Sequence, residues 1–196
     1  LRVYLNNGDE TFRLIWTSTE TLRTYRIVCA DYDQDGYLDF AVGTSRAPNV
    51  AVFHNNGDNT FVLAWKTSPA RNYGGLATAD FDNDGDLDLV AGFYLNTLRI
   101  YRNDGNNIFT QAWTSTETQN TDDIVCADFN NDGYADIAIA NDTYSDRVYF
   151  NRKNGTFKLG YSTPKTKYSH NLTAADWDTD GDVDLLIQQN DLAKIY

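Results

Sequence analysis

The chain repeats itself. The segments DYDQDGYLD (31–39), DFDNDGDLD (80–88), DFNNDGYAD (128–136) and DWDTDGDVD (176–184) begin 49, 48 and 48 residues apart. A second marker keeps the register: LRVYLNNGDETF (1–12), VAVFHNNGDNTF (50–61), LRIYRNDGNNIF (98–109) and RVYFNRKNGTF (147–157). A third is aromatic, at Trp16, Trp65, Trp113 and Tyr161. Self-similarity at a period of this length implies stacked like units, each unable to bury its apolar face alone. The 196 residues therefore read as one region of four repeats, approximately 1–49, 50–97, 98–146 and 147–196.

Each unit carries the signals of four short strands. In the second, GLATAD (75–80) enters the acidic segment and LDLVAG (87–92) leaves it. TLRIYRN (97–103) then leads to an Asn/Asp/Gly turn, and IFTQAWTS (108–115) returns. The β-branched and aromatic content and the turn residues are hairpin signals. No window of helical length has a 3.6-residue period. The expected fold is all-β: a β-propeller built from four four-stranded blades. A β-solenoid fits less well, because its repeats are shorter, roughly 20–30 residues. Tyr4, Phe53, Tyr101, Tyr149 and Tyr196 are equivalent, so LRVY at the start and LAKIY at the end are copies of one strand. A closed four-bladed ring has one slot for it. The expectation is a partial propeller, or one completed by continuation of the chain or by a partner chain.

The acidic loops, the NNGDxTF-like turns and the LDLVAG strands resemble FG-GAP/VCBS repeats, the units of integrin-α-type propellers, over all four repeats. That resemblance implies a calcium site in each acidic loop, at the hairpin between a blade's first and second strands. It also implies rings of seven or eight blades, where four are visible here. The FG-GAP phrase itself survives only as traces such as AVGTSRAPN (41–49).

The residues support the calcium expectation without the family. Of the 28 acidic residues all but Glu10, Glu20 and Glu117 are Asp, and Asp suits turns and hard-cation sites where Glu suits helices. In DxDxDGxxD alternate carboxylates converge as the chain turns, and the Gly permits the bend. Such carboxylates repel unless a cation joins them. Oxygen donors with no His or Cys nearby favour Ca²⁺ over transition metals, and Mg²⁺ wants fewer protein ligands. An EF-hand would need Glu at the twelfth place, where Val42, Ala91, Ile139 and Ile187 stand instead.

The expected ligands in the first loop are the side chains of Asp31, Asp33, Asp35 and Asp39 with the Tyr37 carbonyl. In the second they are Asp80, Asp82, Asp84 and Asp88 with the Asp86 carbonyl. The third has Asp128, Asn130, Asp132 and Asp136 with the Tyr134 carbonyl, and the fourth Asp176, Asp178, Asp180 and Asp184 with the Asp182 carbonyl. About four Ca²⁺ ions are expected, one per loop. The amide of Asn130 makes the third site the weakest.

Composition narrows the partners. A net charge of −12 argues against nucleic acid and anionic membranes. Most of that charge sits in the loops, where four dications would offset eight charges. No apolar stretch has the length of a membrane span. Nothing at the N-terminus reads as a signal peptide, and a chain without Met reads as a mature or excerpted segment. Single-loop calcium sites of extracellular modules have dissociation constants on the order of 10⁻⁴–10⁻³ M, which points to an extracellular, secreted or cell-surface location.

Other candidates are weaker. Cys29 and Cys126 occupy matching places, where the other repeats have Thr78 and Ala174, and read as small strand residues. His54 and His170 stand at unrelated places in the repeat and read as ordinary surface or core residues. No catalytic triad can be assembled at matched positions, and the three Glu residues form no recognisable catalytic pair. Sequons at Asn141, Asn154 and Asn171 occur at the frequency expected by chance. The register of Trp16, Trp65 and Trp113 favours packing between blades over sugar stacking.

In a meander of this kind the calcium loops and NNG turns share one face. TETLRTYR (19–26), PARNYGG (69–75), TETQNTDD (116–123) and PKTKYSH (164–170) share the other, where a protein or glycan ligand is expected. The expected function is a non-catalytic, calcium-binding propeller module for adhesion, assembly or ligand binding. The alternatives are a lectin-type propeller, or the calcium-dependent scaffold of a polysaccharide-degrading enzyme.

Overall fold

Alternating strands and turns emerge as the sequence predicts. The computed structural model describes residues 1–45, 48–67, 73–164, 168–189 and 192–195. Tyr196, residues 69–72 of PARNYGG and residues 165–167 of PKTKYSH lie outside the described residues. The chain opens with a hairpin of β1 (Arg2–Asn6) and β2 (Phe12–Thr17). Three four-stranded antiparallel sheets follow. The first holds β3 (Thr24–Ala30), β4 (Asp39–Thr44), β5 (Val50–Asn55) and β6 (Phe61–Lys66). The second holds β7 (Tyr73–Ala79), β8 (Asp88–Phe93), β9 (Arg99–Asn103) and β10 (Phe109–Thr114). The third holds β11 (Thr121–Ala127), β12 (Asp136–Asn141), β13 (Arg147–Asn151) and β14 (Phe157–Ser162). A three-stranded sheet of β15 (Ser169–Ala175), β16 (Asp184–Gln189) and β17 (Leu192–Ile195) ends the described chain.

Within every sheet, neighbours in sequence are neighbours in space. The first strands β3, β7, β11 and β15 lie next to one another in that order. This is propeller architecture, and it is partial. Among the described residues β1 pairs with β2 and β17 with β16, and no pairing joins the two ends of the arc.

The core lies between sheets rather than within them. The second strands β4, β8 and β12 are buried at every residue, which explains their runs of Val, Leu, Ile and Ala in place of alternation. One apolar cluster joins the first hairpin to the first full sheet, and further clusters join each sheet to the next. The tryptophans sit at these seams, as their register predicts. Trp16 packs on Phe40, Phe53 and Phe61, Trp65 on Tyr101 and Phe109, and Trp113 on Tyr149 and Phe157. Each contact crosses from one sheet to the following one. Cys126 packs against the seam of the second and third sheets, whereas Cys29, on the first strand of the open end, is exposed.

The second sheet meets the third unusually closely at Gly74 and Gly75. A Cβ on Gly74 would lie 1.7 Å from the carbonyl oxygen of Thr121, and one on Gly75 would lie 2.5 Å from Cγ1 of Ile124. Backbone at that separation admits only glycine. Gly74→Ala is expected to destabilise the fold by at least about 2 kcal/mol through overpacking. Urea-unfolding midpoints of the two proteins check this, and unchanged midpoints would contradict the close approach.

Candidate metal centre

The acidic loops share one pattern of hydrogen bonds, which the fourth keeps only in part because the Asp180 N–H there goes to Asp178. The first Asp accepts backbone N–H groups across the turn. Asp31 takes those of Asp35 (3.1 Å) and Gly36 (2.9 Å). Asp80 takes Asp84 (3.2 Å) and Gly85 (2.9 Å), Asp128 takes Asp132 (3.0 Å) and Gly133 (2.7 Å), and Asp176 takes Gly181 (3.0 Å). The fifth-place carboxylates of Asp35, Asp84, Asp132 and Asp180 accept the N–H of Tyr37, Asp86, Tyr134 and Asp182. That bond orients the residue whose carbonyl the sequence assigns as a ligand. The glycines at 36, 85, 133 and 181 have φ of 90°, 96°, 87° and 97°, conformations that side chains rarely adopt.

The ninth-place Asp ties the loop to its blade. Asp39, Asp88 and Asp136 are buried. Each accepts one N–H from the loop, at Tyr32, Phe81 and Phe129, and one from the end of the third strand, at Asn55, Asn103 and Asn151. Asp184 accepts the N–H of Trp177.

Carboxylates thereby converge. Ligand atoms of Asp31, Asp33 and Asp39 lie within 4.8 Å of one another, as do those of Asp80, Asp82 and Asp88, and those of Asp176, Asp178 and Asp184. These clusters can hold a metal ion. Without one they are electrostatically costly. Burial pushes the Asp88 carboxyl up to about 7 and that of Asp136 up to about 6, despite two backbone donors each. Burial also raises Asp39, and Asp82 is raised by burial and by neighbouring Asp84. In the first loop Oδ1 of Asp33 is buried with no hydrogen-bond partner. A buried acceptor of this kind suits a donor or a cation.

Two loops depart from the simple pattern. In the third, Asn130 replaces the second carboxylate, and among the described residues no three acidic side chains converge there as they do in the other loops. In the first, the expectation of no nearby histidine fails. Nδ1 of His54 lies 2.9 Å from Asp33 and 3.2 Å from Asp39, and Nε2 lies 4.0 Å from Asp35. Asp33, Asp35 and His54 form a mixed nitrogen and oxygen cluster. The available signal was register: His54 occupies the place of Arg102, one residue before the Asn that clamps the loop.

Sequence reasoning also missed the fourth place of the loop. Gln34 donates to the carbonyl of Gly85 (3.1 Å) and to Asp86 (2.7 Å), Asn83 to the carbonyl of Gly133 (3.0 Å), and Asn131 to Asp182. Each loop thus reaches the next, and these residues sit at φ of 58°, 59° and 55°. The fourth copy is Thr179, at φ 64°. A β-branched residue is poorly suited to that conformation, whereas Asn tolerates it. Thr179→Asn is expected to stabilise the chain by up to about 1 kcal/mol, read as a raised thermal midpoint. A lowered midpoint would contradict the strain.

The FG-GAP-like repeat pattern matches four overlapping stretches, residues 1–42, 31–91, 80–139 and 128–187. No curated protein matches the chain. With the match spanning nearly the whole sequence and an acidic loop at each repeat, the chain belongs to the FG-GAP-like repeat family.

Proposed function

We propose that the chain is a calcium-binding, extracellular β-propeller module that serves adhesion, assembly or ligand binding without catalysis of its own. The observation that carries this reading is the convergence of three Asp carboxylates within 4.8 Å in the first, second and fourth loops. Converging carboxylate oxygens suit Ca²⁺, and in the second and fourth loops no nitrogen donor joins them among the described residues. The third loop takes its ion with Asp128, Asn130, Asp132 and Asp136, at one charge less. An extracellular location follows from the millimolar calcium that such sites need. Among the described residues no helix is long and apolar enough to cross a membrane.

Assembly has its own support. Inside the arc the loop aromatics Tyr32 and Phe81 are buried, each edge-on to a phenylalanine of the next sheet, Phe109 and Phe157. Their equivalents at the two ends are exposed, with Trp177 at 48% and Phe12 at 65%. Further blades of the same repeat, from a continuing chain or a second copy, would cover both.

At tenfold excess over its dissociation constant each independent site adds about 1.4 kcal/mol to folding stability. Millimolar Ca²⁺ is therefore expected to raise the thermal midpoint by about 10 °C or more over the chelated protein. Coincident melting curves would refute calcium binding. In a calcium titration the third loop is expected to fill last, and Asn130→Asp to tighten it.

Protons should move with the ion. The Asp88 and Asp136 carboxyls ionise at about 7 and 6 in the fold, against an ordinary value of 3.8. A raised carboxyl favours the fold while protonated, so the metal-free protein loses this stability as pH rises from about 4 through 7. A dication favours the ionised form. Calcium binding at pH 6.5 is thus expected to release protons, and affinity to fall between pH 7.5 and 5.5. Calorimetry in two buffers of different ionisation enthalpy checks it; identical heats would contradict it.

A further inference from the structure

The strands along the axis carry a repeated irregularity at the end away from the acidic loops. In β3 the pairing skips from Thr24 to Arg26, in β11 from Thr121 to Asp123, and in β15 from Ser169 to Asn171. The bulged residues are Tyr25, Asp122 and His170. In β7 the same interruption spans Gly74 and Gly75. A bulge re-aims a side chain out of the sheet's alternation, and bulges gather beside binding sites. Tyr25, Gly74, Asp122 and His170 all line one pocket of about 570 Å³, together with Arg26 and Tyr94.

The polar groups of this pocket are fixed by one another across the blades. The glycines of β7 put no side chain between the first and third sheets, and Arg26 spans the gap. It donates to the carbonyl of Asp122 (3.2 Å) and pairs with Asp123 (3.1 Å). Nδ1 of His170, on the last sheet, lies 2.6 Å from Asp122. The Tyr94 hydroxyl donates to Asp142 (2.6 Å), whose other oxygen is buried and unpartnered. The ring of Tyr25 is 69% exposed, and Tyr168 stacks on His170 at 6.4 Å between centroids.

We infer that this axial pocket binds a neutral saccharide. Tyr25 and Tyr94 offer ring faces to its C–H surface, and Arg26, Asp122, His170 and the Tyr94 hydroxyl hydrogen-bond its hydroxyls. The charges select this class. An anionic guest would face the carboxylate of Asp122, with those of Asp123 and Asp142 held behind Arg26 and Tyr94. A cationic guest would sit beside Arg26, and would compete with Arg26 and His170 for carboxylates they already hold. A polyol both donates and accepts, so it serves paired acids and bases alike. The inference rests on reading the module as an extracellular ligand binder, and it places the ligand on the face opposite the acidic loops.

The test is a printed array of neutral, sialylated and sulfated glycans with arginine-rich peptides, probed with the folded chain at saturating Ca²⁺. The strongest hit is then titrated by calorimetry. Neutral glycans are expected to be retained over both charged classes. Tyr25→Ala is expected to weaken binding about tenfold and Tyr25→Phe less than twofold. Because Tyr25 is largely exposed, neither variant should shift the thermal midpoint. The inference is overturned if no neutral glycan is retained, if acidic glycans or peptides are preferred, or if Tyr25→Ala binds like the parent. Calcium uptake is measured on the same sample. Glycan binding without calcium uptake leaves the pocket standing and removes the metal reading, and the converse removes the pocket alone.

Discussion

A buried carboxylate at the end of three of the four acidic loops holds this architecture together. Asp39, Asp88 and Asp136 each accept one N–H from the loop and one from the end of the third strand. The same Asn that donates its backbone also links blades. Asn103 donates its side chain to the carbonyl of Tyr32 (2.7 Å), and Asn151 to that of Phe81 (2.8 Å), in the preceding sheet. One acid therefore fixes the loop, the outer hairpin and, through the Asn, the seam to the neighbouring blade. Burying a carboxylate is unfavourable without donors or a cation. The electrostatics of the acidic loop and the packing of the blades are in this way one problem, met at one residue.

The seams follow from that constraint. Once the loop is pinned, its second residue can only project toward the next sheet, where Tyr32 and Phe81 meet Phe109 and Phe157. The tryptophan of the fourth strand closes the same seam from the outside, as Trp65 does on Tyr101 and Trp113 on Tyr149. Stability is thus distributed between neighbours, as in other repeat arrays. No sheet has a private core.

Most of the scaffold could be read from the chain because its determinants are local and periodic. The acidic nonapeptides, the Asn/Gly turns and the aromatic register each specify a feature within one repeat, and the strands lie where those signals put them. What escaped reading depends on register across the chain. The bulges at Tyr25, Asp122 and His170 are defined by which residue lacks a partner, and no single repeat displays that. The approach of His54 to Asp33 depends on how β5 passes the loop. The bridges from Gln34 and Asn83 connect residues about fifty positions apart. The acidic side chains of the loops are written in composition, whereas contacts between loops are written in geometry.

The bulge on the innermost strand separates two tasks that a repeat usually confounds. Residues in the ladder must satisfy the blade, and those at the seams must satisfy the neighbour. In three blades the bulged position answers to neither and is occupied by Tyr, Asp and His; in the fourth it is the glycine pair that the close seam requires. The fold thereby offers one exchangeable side chain in each of three blades around a shared axis. Recognition on this scaffold can be rewritten combinatorially, three letters at a time, while every hydrogen bond that builds the propeller stays in place.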